Sequence, residues 1–108
     1  ESDFTKFYKN YKSSSSKISK SEAKEIAEIG FDEASRIVGE YPKSSQTCTL
    51  EDIHPNNFFT RKYYEYDFSD PTTVSAYCFS REDELGNGVT IYVDSKLGKI
   101  IGGRAFGD

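Results

Sequence analysis

His54 is the only histidine of the chain, and Glu51 and Asp52 stand just before it. An imidazole beside two carboxylates is the residue set of a metal site or an acid–base pair. A single histidine in a polar stretch before Pro55 reads instead as loop structure. Cys48 and Cys78 make an even pair, each on an expected strand. They are either the disulfide of an exported domain or two buried thiols, and their spacing fits no zinc pattern. Neither has a basic neighbour that would turn it into a nucleophile. Glu82-Asp83-Glu84 gathers three carboxylates without the alternating oxygens and central glycine of a calcium loop, so it reads as a solvated turn. Gly86-Asn87-Gly88 and Gly102-Gly103 lack the strand-to-helix setting of a phosphate loop. The serines sit in no nucleophile elbow. The expectation is a chain without catalytic residues, metal or cofactor.

Tyrosine is the better lead. Tyr63, Tyr64, Tyr66, Tyr77 and Tyr92 are more than a small core buries. At a surface, such rings give rigid contact area with a polar tip, which suits binding a protein or peptide. The alternative is that they line or cover the sheet with no ligand at all.

The elements that must position these groups follow from periodicity. Asp3–Lys12 places Phe4, Phe7, Tyr8 and Tyr11 at helical spacing, a short amphipathic helix, and Ser13–Ser16 is a flexible linker. Ser19 and Glu22 form a capping box, with Ile18 placed for a hydrophobic staple. From there Ala23, Ile26, Ala27, Gly30, Phe31, Ala34, Ile37, Val38 and Tyr41 recur at three- and four-residue steps, one apolar stripe that Pro42 ends. Asp32 and Arg36 are spaced for an ion pair. Gly30 on that stripe predicts close approach to a sheet, or a bend.

Strands follow: Ser45–Leu50, a long aromatic strand Phe58–Phe68, Val74–Ser80, and the hairpin Val89–Val93 with Lys99–Ile101. Glu51–Asn57 and Arg81–Gly88 read as polar connections. In Asp94-Ser95-Lys96-Leu97-Gly98, the aspartate accepts backbone hydrogen bonds and the glycine supplies positive φ. The fold class is α+β: one main helix on an antiparallel sheet of four to five strands, with the short N-terminal helix as an addition. Residues 1–17 form the leading segment and 18–108 the domain.

With 108 residues the chain is one domain, and eight Tyr and eight Phe with no Trp fit a sheet-rich one. The net charge of −4 is uneven, because residues 1–20 hold five Lys against Glu1 and Asp3. The acidic remainder argues against nucleic-acid binding, since phosphate repels it. No run is long and apolar enough to span a membrane. The chain starts at Glu1 without a Met or a signal segment, which reads as a processed or subcloned fragment.

Two stretches together resemble the PepSY domain. Ile18, Ser19, Glu22 and Ala23 match its helix opening, and Val93, Asp94, Gly98 and Lys99 match its closing turn, with Leu97 where that family prefers Thr. The resemblance spans roughly residues 18–103. It implies a small bacterial module, extracellular or in the cell envelope, that binds and restrains peptidases and has no catalytic residues. The expected function is thus a non-catalytic exported binding module for a protein or peptide, through an exposed edge strand and tyrosine pockets. Restraint of a peptidase is its narrower form. The alternatives are a small-molecule binder with a pocket between helix and sheet, or a structural segment of a larger surface protein.

Overall fold

The computed structural model of the protein describes residues 17–38, 46–54 and 73–107. Helix α1 spans Lys20–Val38 and is followed by four strands: β1 (Gln46–Ile53), β2 (Val74–Glu82), β3 (Gly88–Asp94) and β4 (Ile100–Phe106). The strands pair antiparallel in the order β1-β2-β3-β4, so each lies beside its neighbour in sequence. The expected α+β architecture is present. The short helix expected over 3–12 and the long strand expected over 58–68 lie outside the described residues.

The helix starts where its cap is. The Ser19 hydroxyl accepts the Glu22 amide at 3.1 Å and faces the Glu22 carboxylate at 3.3 Å. One orphan amide of the first turn is thereby satisfied, and the Ser19 hydroxyl donates in turn to the Glu22 carboxylate. Arg36 pairs with Glu33 at 3.0 Å rather than with Asp32. Both spacings put the partners on one helix face, so the three-residue alternative was available from the start.

Ala23, Ala27, Gly30, Phe31 and Ala34 face the sheet and are buried, joined there by Phe79, Val89, Ile91, Val93 and Ile100. Small residues along the stripe let the helix axis come close. A Cβ on Gly30 would stand only 2.7 Å from Ile91 Cγ2, so this glycine marks the point of closest approach. The backbone of helix α1 lies against β2, β3 and β4, while β1 reaches the same core only at its rim, through Cys48.

The β3–β4 hairpin closes as its residues require. Asp94 Oδ1 accepts the Lys96 and Leu97 amides at 2.8 and 2.7 Å, and Gly98 takes φ 65°. The same turn anchors the rest of the fold. The Ile18 amide donates to the Ser95 carbonyl at 2.7 Å, and the Ser95 amide and hydroxyl both donate to the Ser75 carbonyl.

Three strands run further than the sequence suggests. β1 continues through Glu51-Asp52-Ile53, where a polar loop was expected. β2 continues through Arg81 and Glu82. β4 passes through Gly102-Gly103 to Phe106 instead of stopping there. Polar residues and glycines weaken the strand signal, but a neighbour with free backbone groups extends the ladder across them. The register slips between Tyr92 and Val93, and Gly102 takes φ 156°, a bulge that only glycine accommodates easily.

Candidate functional site

Strand pleating sorts the sheet into two faces. On β2, Tyr77, Phe79 and Arg81 point toward α1, while Val74, Ala76, Cys78 and Ser80 point away from it. The same alternation puts Cys48 on the helix side of β1, opposite Phe79, and Cys78 on the far side, opposite Thr49. Side chains on opposite faces of one sheet cannot meet, and both cysteines are free thiols. The disulfide weighed from the sequence is therefore not formed.

The tyrosines divide in the same way. Tyr77 is half-buried on the helix side and its hydroxyl donates to the Ile18 carbonyl at 3.0 Å, which fixes the entry to α1. Tyr92 is half-buried on the far face. These two lie on opposite faces of the sheet. Tyr63, Tyr64 and Tyr66 lie outside the described residues.

The far face carries a groove of about 390 Å³. Its layout is a set of rows that only the register reveals. Thr47, Ser80, Thr90 and Arg104 stand side by side across all four strands. The Ser80 and Thr90 hydroxyls are 2.6 Å apart, so one donates to the other. The next row is Thr49, Cys78, Tyr92 and Gly102, and then come Glu51, Ala76 and Asp94. Thr49 Oγ1 donates to Glu51 Oε2 at 2.7 Å. Phe106 closes one end, its ring lying against Gly88, where a Cβ would stand 2.5 Å from Cζ.

The groups in this groove are poorly set up for nucleophilic chemistry. Burial, with the Glu51 carboxylate adding to it, pushes the Cys78 thiol up to about 12, so it stays protonated near neutral pH. Burial also raises Tyr92, against the opposing pull of Arg104. His54 is exposed just past the end of β1. Among the described residues no three of His, Cys, Asp and Glu stand together to hold a metal ion. No described helix is long and apolar enough to cross a membrane.

β1 differs from its neighbours. It is a terminal strand of the described sheet, paired with β2 along all eight residues and not covered by α1. Leu50, on its helix side, is 47% exposed, and Glu51 and Asp52 are exposed beside it.

Two features escaped the sequence reading. Arg81 is 6% exposed inside the helix–sheet layer, where it stacks 4.0 Å over Phe31. It donates to Glu28 at 2.6 Å and to Gln46 at 3.0 Å. Continuing the Tyr77–Phe79 alternation by one step would have found it. Asp94 was read as a turn former, but its complete burial was not, and its Oδ2 has no hydrogen-bond partner. No protein-family model, curated protein or solved structure matches this chain.

Proposed function

We propose that the protein is a non-catalytic binding module that takes an extended peptide segment of another protein along β1. The observation that carries this reading is the character of that strand: eight residues, terminal in the described sheet, exposed or half-exposed throughout. A sheet edge offers a row of backbone donors and acceptors to any extended chain. Natural proteins commonly blunt such edges with proline, lysine, a bulge or a covering element. β1 contains no Pro and no Lys, has no break in its register with β2, and is not covered by α1. Strand addition there would gain main-chain hydrogen bonds, and alternate peptide side chains would fall on the groove side and on the Leu50 side.

The elevated Cys78 thiol and the hydroxyl-rich groove favour recognition over catalysis. The PepSY resemblance rests on the residues named for it. Restraint of a peptidase would be one use of such an edge, with a strand of the peptidase as the added segment.

The test is a displayed library of eight-residue peptides, selected on the purified protein, with enriched peptides titrated into the labelled protein and followed by amide chemical shifts. The expected result is that shifts in Gln46–Ile53 dominate. Shifts centred on α1, or a library that yields no enriched peptide, would refute strand addition at β1.

A further inference from the structure

Strand addition at β1 leaves open what the added strand must carry, and the charges of that strand narrow it. Between Gln46 and Ile53 the charged residues are Glu51 and Asp52, both acidic and both exposed. They lie on opposite faces, Glu51 toward the groove and Asp52 toward the helix side. The cation of the groove, Arg104, stands on β4, with β1, β2 and β3 between it and any chain added beside β1. Leu50 adjoins Glu51 in sequence and shows its apolar surface on the helix side.

We infer that the segment bound along β1 is a basic one, with a Lys or Arg facing the groove across from Glu51 and an apolar residue next to it facing Leu50. This rests on the strand-addition reading above and specifies its ligand. Directly opposed side chains on paired strands stand close enough for opposite charges to attract and like charges to repel. Thr49 Oγ1 already holds one carboxylate oxygen of Glu51, which fixes the carboxylate on the groove side. A lysine stem in this position would lie along Thr49 with its ammonium at Glu51, keeping its apolar carbons on the strand and its charge in water. A net charge of −4 adds a general attraction for a basic segment.

The probes are three fluorescein-labelled eight-residue peptides of alternating Thr and Val, identical except for Lys, Gln or Glu at one central Thr position. Anisotropy titrations against the wild-type protein should rank them Lys, then Gln, then Glu, with Lys about five- to tenfold tighter than Glu. Glu51→Lys, checked for folding by circular dichroism, should invert the order, and Asp52→Asn should leave it standing. An order unchanged by Glu51→Lys, or three equal affinities, would overturn the charge inference while leaving strand addition in place. Failure of all three peptides to bind would instead overturn strand addition itself.

Discussion

β1 and β3 belong to one sheet and both present alternate residues to its two faces, yet they end in opposite environments. In β3, Val89, Ile91 and Val93 are at most 1% exposed, because α1 lies across them. In β1 the equivalent helix-side positions are Gln46, Cys48, Leu50 and Asp52, and Leu50 is about half exposed. The difference follows both the residues, polar at Gln46 and Asp52, and the position of the helix. Ala23, Ala27, Gly30 and Ala34 give α1 a narrow, flat stripe that seats over β3, and the helix backbone does not lie against the sheet's first strand. Among the described residues the sheet thus has a half packed on α1 and an edge strand that α1 does not cover. Stability should reside in the first and recognition in the second.

The sharpest way to break this contrast is Gly30→Leu. The Cβ alone would meet Ile91 Cγ2 at 2.7 Å, and Ile91 is fully buried, so the core must shift to admit it. Overpacking of this kind costs about 1–3 kcal/mol, against a helix-propensity gain of about 1 kcal/mol for replacing glycine. Chemical denaturation should show a net loss of about 1 kcal/mol, and Ile91→Val in the same chain should recover part of it. A neutral Gly30→Leu would mean that α1 does not sit tightly on β3, and the division into halves would fall.

Much of the core half could be read from the sequence, and the reasons are local. The Ser19–Glu22 cap and the Asp94–Gly98 turn each depend on residues a few positions apart, and Gly30 stands on an apolar stripe of helical spacing. The candidate site could not be read in the same way. The row Thr47–Ser80–Thr90–Arg104 draws one residue from each of four strands, and no spacing within any one strand announces it. The cysteines show the limit most clearly. Their even number suggested a bridge, and a one-residue offset in register sends them to opposite faces. Burial at Arg81 follows from one more step of the Tyr77–Phe79 alternation, but its partners Glu28, Phe31 and Gln46 were hidden, because they come from a helix and a strand far away in sequence.

Asp94 offers a smaller effect, read through pH. It is fully buried, with Oδ1 satisfied by two amides and Oδ2 without a partner. Burial raises its carboxyl above the ordinary value, opposed by the Leu97 and Lys96 amides. A raised carboxyl favours the protonated form in the folded chain. Its contribution to stability is therefore full below the ordinary carboxylate value of about 3.9 and is lost as pH rises through the raised value. Asp94→Asn keeps an acceptor for both amides and removes the titration. Its stability relative to wild type should improve as pH rises from below about 3.9 through the raised value and then level off in denaturation curves. A difference independent of pH would mean that the carboxylate is ionised without penalty and that the turn is more open than its burial indicates.

The smallest expected change in stability is at Leu50, and there it tests the other half of the contrast. Threonine suits a strand as well as leucine does, and the side chain is already about half in water. Leu50→Thr should therefore alter the unfolding free energy by only about 0.5 kcal/mol, as exposed substitutions do. The same substitution removes the apolar surface that an added strand would cover. Affinity for a peptide selected on the wild-type protein should fall several-fold while the thermal midpoint barely moves. Had β1 been part of the core, the two readouts would drop together, with a stability loss of about 2 kcal/mol or more, typical of truncating a buried leucine. A loss of binding without a loss of stability separates an edge kept for a partner from one that merely ends the sheet.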